Sequence, residues 1–185
     1  MTRNNYIVPP RSREEIRAFA LQLRKHVDIK EGRFPIIGFI EMILPQLNPS
    51  FELIVADRTE MGDNLGLTYP DQHKIFLRED VYDNACDGKG FDRMTAAHEV
   101  AHYLLHSSEL IGFARSTADK DVERYRTSEW QANCFAGELL IPFSNREKII
   151  EASPTKIASF YGVTEQAARF QQKVFMGKRP SSCRN

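Results

Sequence analysis

The stretch TAAHEVAHYLLHSSEL, which begins at Thr95, contains three histidines within nine residues. His98 and His102 are four residues apart and bracket Glu99 in the order H-E-x-x-H. On an α-helix, residues i and i+4 project from one face about one turn apart, so two imidazoles at this spacing can bind one metal ion. The remaining positions are apolar and predict a face that packs inward: Met94, Ala97, Ala101, Leu104 and Leu105. The motif therefore predicts a packed helix that carries a metal site.

Glu99 is rotated by about 100° from His98 around the same helix. Its carboxylate is displaced from the face that the two histidines share, so it is poorly placed as a third ligand. It can still reach a water molecule beside the ion, and glutamate in this motif is the general base of zinc-dependent hydrolases. We therefore predict that His98 and His102 bind metal and that Glu99 is the catalytic residue.

His106 lies one further turn along the helix, about 6 Å beyond His102 along the axis. One ion cannot bind all three histidines unless the helix breaks between them, and no glycine interrupts the stretch. We interpret His106 as a helix-end residue, where the helix dipole favours a partly protonated imidazole. A role as a polar group at the edge of the cleft stays open.

A catalytic zinc needs a third protein ligand and one open position. The segment SEWQANCFAGELLIP offers Glu129, which shares a helix face with Asn133 and with the small residues Ala132 and Ala136. The alanines allow a close approach to the histidine helix, and Asn133 can accept a hydrogen bond from the second nitrogen of a ligand histidine. Spacing alone does not separate Glu129 from its acidic rivals: Glu109, Asp119, Glu123 and Glu138.

Together, RMTAAHEVAHYLLH and the downstream SEWQANCFAGELLIP resemble the ImmA/IrrE family of zinc metallo-endopeptidases, and KIFLREDVYDNA resembles that family's lead into the active helix. The resemblance extends from about residue 9 to 141. It implies that His98, His102 and Glu129 bind one Zn²⁺ per chain and that Glu99 is catalytic. It also implies a gluzincin-like α+β fold, in which an active-site helix lies beneath a small antiparallel sheet.

Hydrophobic periodicity and turn residues predict the remaining elements. Helices are expected at 12–26, with Ser12 as the N-cap, and at 128–140. A further helix is expected to follow Pro35 and to end at Pro45. Another is expected to begin at Asp92, as its N-cap, and to run through Leu105. Strands are expected at 51–57, 65–69 and 74–78, and two short helices joined at Tyr161-Gly162-Val163 follow. We predict a metallopeptidase domain at 1–142 and a small helical C-terminal region at 143–185.

Peptide hydrolysis also needs a donor to the oxyanion of the transition state. Four residues near the motif or in the strand region are candidates: Tyr69, His73, Tyr103 and His106. We further expect the strand at 74–78 to offer an edge to which an extended substrate adds by backbone pairing.

Composition limits the cellular setting and the partners. The 25 basic and 25 acidic residues cancel, so no global field favours nucleic acid. The longest apolar run, PIIGFIEMIL, is too short to span a bilayer. No apolar signal segment precedes the first helix, and three cysteines without paired spacing are typical of reduced thiols. We expect a cytoplasmic protein without a membrane partner.

The family resemblance implies a protein substrate, a helix-turn-helix transcriptional repressor or a similar regulator. The C-terminal IASFYGVTEQAARF itself has the spacing of a helix-turn-helix, so DNA binding is an alternative. A two-helix cap or substrate-docking unit is favoured over it, because no side chain is clearly set to read bases. The remaining alternative is a non-catalytic, antitoxin-like binding protein that retains the metal site.

Overall fold

The computed structural model describes residues 6–106 and 123–177. Its α-helices are α1 Arg13–His26, α2 Ile36–Gly38, α3 Leu44–Leu47, α4 Arg58–Met61, α5 Glu79–Cys86, α6 Gly90–Leu105, α7 Ser128–Leu140, α8 Arg146–Glu151, α9 Pro154–Tyr161 and α10 Glu165–Phe175. Its strands are β1 Glu52–Ala56, β2 Gly66–Tyr69 and β3 Lys74–Arg78. One small sheet among many helices is the predicted α+β class. No helix within the described ranges is long and apolar enough to cross a membrane.

The three strands form a sheet with β3 in the centre. β2 pairs with β3 in antiparallel register through Leu67 and Phe76, whereas β1 pairs with β3 in parallel register through Ile54 and Phe76. The sheet is therefore mixed, and the expectation of a wholly antiparallel sheet is wrong. Because β3 has a neighbour on both sides, it cannot offer a free edge to a substrate. The edge strands of the sheet are β1 and β2, and β2 lies against α6.

Helix α1 begins at its predicted N-cap and anchors α7. Ser12 Oγ accepts a hydrogen bond from the Glu15 backbone amide, and the Glu15 carboxylate accepts one from the Ser12 amide. Further along α1, Arg17 Nε donates to Glu138 Oε2 at 3.0 Å and Arg13 Nη1 donates to Glu138 Oε1 at 3.4 Å. The Glu138 side chain is 0% exposed. Glu138 is thus committed to an ion pair between helices.

The helix after Pro35 does not end at Pro45, contrary to expectation. A π-helical turn at Phe39–Ile43 follows α2, and α3 continues the path to Leu47. The Leu44 amide donates a hydrogen bond to the Phe39 carbonyl, five residues earlier, so the helical hydrogen-bond pattern is shifted by one residue. Pro45 then lies in the first turn of a new segment, where a missing N–H is tolerated.

Helix α6 begins at Gly90, so the N-cap predicted for Asp92 is wrong; Lys89 occupies that position and Asp92 lies in the first turn. The start of the helix is set by contact with the C-terminal helices. A Cβ at Gly90 would lie 2.3 Å from the backbone carbon of Val163. Only glycine allows this approach, so α6 extends to where the two backbones meet.

The C-terminal helices share a core with the helices of the site. α9 and α10 are joined at Gly162, as the sequence predicted, and the φ of Gly162 is left-handed at +65°. Arg93 of α6 donates hydrogen bonds to the carbonyls of Gly162 and Phe34, both at 2.8 Å. One buried cluster includes residues of both parts: Ala97, Val100, Ala101, Phe135, Ile149, Ile157, Val163, Ala168 and Phe175. The boundary at residue 142 stays a prediction.

Candidate metal centre

Helices α6 and α7 bring three potential ligand side chains to one point. The two helices pack closely because Ala132 and Ala136, both fully buried, present only methyl groups at the contact. His98 Nε2 and His102 Nε2 lie 3.0 Å apart. Glu129 of α7 places Oε1 3.2 Å from His102 Nε2 and Oε2 3.5 Å from His98 Nε2.

These distances fit one small ion. In a tetrahedral zinc site with bonds of about 2.1 Å, neighbouring ligand atoms lie about 3.4 Å apart. The three separations here run from 3.0 to 3.5 Å. Two imidazoles and one carboxylate form a group that can hold a metal ion, and this donor set suits zinc.

Asn133 fixes the orientation of His98. Its Nδ2 donates to the backbone carbonyl of Glu129 at 2.8 Å, which leaves Oδ1 to accept from His98 Nδ1 at 3.2 Å. A neutral imidazole carries one proton, so His98 Nε2 then presents its lone pair to the cluster. The contact predicted for Asn133 is present in the structure, and its importance for metal binding stays a prediction.

His106 ends α6 but does not lie at the edge of the cleft. It is 3% exposed, and its Nδ1 lies 3.0 Å from His102 Nδ1 while its Nε2 lies 3.3 Å from Gln131 Oε1. Burial, with a smaller effect from His102, lowers the His106 pKa to about 3. The expected partial protonation is wrong because burial outweighs the helix dipole. Both ring nitrogens have partners, so His106 is also unsuited as an oxyanion donor.

Glu99 is buried beside the cluster and held by strand β2. Thr68 Oγ1 lies 2.7 Å from Glu99 Oε2 and 3.1 Å from the Glu99 backbone carbonyl. A Cβ at Gly66 would lie 2.6 Å from Glu99 Cγ, so the strand and the carboxylate side chain are in direct contact. Sequence analysis missed Gly66 and Thr68. A glycine at the start of a strand was the available signal, because it often marks a close approach.

Comparison with known families agrees with this geometry. Residues 53–172 match the family model described as Peptidase_M78, IrrE N-terminal-like domain. The chain belongs to the M78 peptidase family. The match confirms the ImmA/IrrE resemblance and includes both helices of the M78 site together with β2. No protein of curated function matches this M78 chain.

In this M78 metallopeptidase, Glu129 is held as a carboxylate. Its burial acts to raise its pKa, but the neighbouring His102 and His98 outweigh that effect and hold the pKa of Glu129 well below the usual range. An anionic oxygen therefore faces the two imidazole nitrogens over the physiological pH range.

Two of the four rival acids have other partners in the described structure. Glu138 is paired with α1 on the other side of α7. Glu123 accepts a hydrogen bond from the Tyr125 hydroxyl. Glu109 and Asp119 lie outside the described residues.

The other three candidate oxyanion donors lie on or beside β2, β3 and α6. Asn48 Nδ2 lies 3.0 Å from His73 Nδ1 and donates to the Tyr103 hydroxyl at 3.1 Å. The Tyr103 ring also packs edge-on against Phe51. Tyr69, at the end of β2, is 43% exposed. The structure thus groups Tyr103 with His73 through Asn48, and an oxyanion role for any of the three stays a prediction.

Proposed function

We propose that this M78 chain is a zinc-dependent endopeptidase in which His98, His102 and Glu129 bind the ion and Glu99 is the general base. The observation that carries the proposal is the convergence of two imidazole nitrogens and a carboxylate within 3.5 Å. Lone pairs and a negative charge repel one another at this distance unless a cation lies between them.

A zinc ion bound there supplies Lewis acidity, because it lowers the pKa of a water ligand toward about 7 and polarises a carbonyl oxygen. Glu99 takes a proton from the attacking water while Thr68 holds its other carboxylate oxygen. The water oxygen bonds to the peptide carbon, the C–N bond breaks, and Glu99 returns the proton to the leaving amine. The products are a new carboxylate and a new amine terminus.

We propose that the substrate is a protein segment in extended conformation. Among the described residues β2 is an edge strand, and it contacts Glu99 through Gly66 and Thr68, so a segment added to its outer edge passes the general base. The family resemblance favours a helix-turn-helix transcriptional repressor, or a similar cytoplasmic regulator, as that protein.

The packing of α9 and α10 favours a structural role over DNA binding. The turn between them is covered, since Val163 contacts Gly90 and the Gly162 carbonyl accepts a hydrogen bond from Arg93. A recognition helix needs the residues near this turn free to enter the major groove. If the chain did bind DNA, its affinity would fall steeply with salt.

The first experiment is zinc per chain on the purified protein, compared with Glu129→Ala. We expect one zinc in the wild type and a weakly held or absent zinc in the variant. Glu147→Ala, which removes an exposed glutamate from α8, is the matched control and should retain the metal. A wild-type chain that binds no zinc when supplied with it at neutral pH would refute the proposal and favour a non-enzymatic binding protein.

The second experiment separates metal binding from hydrolysis. Glu99→Gln keeps the size of the side chain but removes the base, so it should hold zinc and lose about 10²- to 10⁴-fold in cleavage rate. Casein serves as an unstructured substrate, and helix-turn-helix repressors of the source cell serve as candidate targets. Cleavage by the Gln variant at the wild-type rate would eliminate Glu99 as the base.

A further inference from the structure

A chain of hydrogen bonds runs from the backbone to His102 through two buried side chains. Gln131 Nε2 lies 2.8 Å from the carbonyl oxygens of both Pro9 and Tyr125. Gln131 Oε1 lies 3.3 Å from His106 Nε2, and His106 Nδ1 lies 3.0 Å from His102 Nδ1. Gln131 is 0% exposed and His106 is 3% exposed, so water does not compete for these contacts.

The donors and acceptors in this series of hydrogen bonds can be assigned in only one way. Two carbonyl oxygens can only accept, so the atom of Gln131 that faces them is the amide nitrogen and its oxygen must accept from His106. His106 Nε2 therefore carries the ring proton. The proposed function needs the lone pair of His102 Nε2 for the metal, so the proton of His102 is on Nδ1 and His106 Nδ1, 3.0 Å away, accepts it in a hydrogen bond.

We propose that His106, oriented by Gln131, is a positioning residue that holds His102 in the tautomer with hydrogen on Nδ1 and a lone pair on Nε2. This inference rests on the proposed function, because His102 Nε2 is taken as a metal ligand. His106 stands in the place where a carboxylate or a backbone carbonyl commonly supports a ligand histidine. Here the support is an imidazole that is itself fixed by an amide.

The N-terminal segment takes part in these hydrogen bonds to His102, although it precedes the family match, which begins at residue 53. Residues Tyr6 to Arg11 pair with the chain just before α7, through Val8 to Arg126 and Arg11 to Tyr125. This pairing holds the two carbonyls that fix Gln131. The metal site is therefore oriented in part from outside the matched region.

The first arm of the test needs no metal. Long-range ¹⁵N–¹H NMR spectra of the histidine rings, recorded at pH 8 in the metal-free wild type, should show the proton of His102 on Nδ1 and that of His106 on Nε2. A His102 ring protonated on Nε2 would overturn the inference, whatever the protein's affinity for zinc.

The second arm measures zinc affinity by competition with a chelating dye. His106→Leu removes the acceptor, so His102 loses its fixed tautomer and the dissociation constant should rise about 10- to 100-fold. In His106→Asn the Oδ1 atom replaces Nδ1 as acceptor, and affinity should stay within about threefold of wild type. Gln171→Leu, which removes another buried polar side chain away from the site, should leave affinity unchanged.

The two hypotheses fail differently. A wild type that binds no zinc refutes the proposed function, whereas equal zinc affinity of wild type and a folded His106→Leu refutes only the positioning role. If His106→Leu does not fold, the His106→Asn affinity and the wild-type tautomers decide. Loss of affinity in His106→Asn equal to that of a ligand deletion would overturn the inference, because the acceptor is retained there.

Discussion

Gly66→Ala tests whether strand β2 sets the position of Glu99, the proposed general base. A Cβ at residue 66 would lie 2.6 Å from Glu99 Cγ, 2.9 Å from Cδ and 3.0 Å from Oε1. Non-bonded carbon atoms settle at about 3.5–4.0 Å, so one of the two groups must move by about 1 Å. Glu99 is the group that yields, because β2 is fixed by its pairing with β3.

The expected magnitude follows from this displacement. A catalytic group misplaced by about 1 Å costs roughly 10²-fold in rate, which is about 2.7 kcal/mol of transition-state stabilisation. The three atoms nearest to the added methyl group all belong to Glu99 and none to the proposed ligands His98, His102 and Glu129. We therefore expect the rate of casein cleavage to fall by about 10²-fold, while zinc content and zinc affinity stay near wild type.

The matched control is Gly38→Ala. Gly38 lies in α2, and a Cβ added there meets no atom within 4 Å. This variant should cleave at the wild-type rate, and alanine should stabilise the helix by up to about 1 kcal/mol. If Gly66→Ala also cleaved casein within threefold of wild type, the claim that β2 positions Glu99 would be wrong.

Three further changes test other parts of the structure. Asn133→Ala should weaken zinc binding about 10-fold or more in a competition assay, and Asn133→Asp, which keeps an acceptor for His98, should restore most of it; equal affinity of all three proteins would contradict this role. Gly90→Ala should destabilise the fold by about 1–3 kcal/mol in urea unfolding, because the methyl group meets the Val163 backbone at 2.3 Å; unchanged stability would contradict the contact. Burial raises the pKa of the Cys134 thiol from 9.0 to about 12. Above pH 9 the unfolded chain therefore releases the thiol proton before the folded chain does. The free energy of unfolding should be unaffected by this group below pH 9 and should fall above it, by at most about 1.4 kcal/mol per pH unit. Cys134→Ala should flatten this decline, and identical slopes for both proteins between pH 9 and 10.5 would refute the assignment.

Much of the site could be predicted from local sequence. The i, i+4 spacing of His98 and His102 follows from helix geometry alone, and the boundaries of β3 and α7 agree with the pattern of residues. Asn133 was found for the same reason, since it lies one turn from Glu129 on the same face of α7. Within a single helix or strand, the backbone repeat decides which side chains are neighbours.

The choice of the third ligand shows where this reasoning ends. Glu129 and Glu138 are both on α7, and their separation of nine residues turns them about 180° apart around the helix. One must therefore face α6 and the other must face away. The sequence does not show which face of α7 meets α6. The packing of α1 against the other side of α7 decides it, because Arg13 and Arg17 of α1 form ion pairs with Glu138.

His106, Gln131, Gly66 and Thr68 were beyond local analysis for a related reason. The sequence position of His106 is that of an exposed helix end, but the fold buries the side chain beside Gln131 of α7, and this burial lowers its pKa. Thr68 meets Glu99 across a strand–helix contact 31 residues apart in the chain. The sequence by itself determined which two imidazoles share a face. The tertiary structure decided the hydrogen-bond partners of their rings, their carboxylate partner and the contact of Glu99 with β2, because each depends on atoms supplied by a different element of the fold.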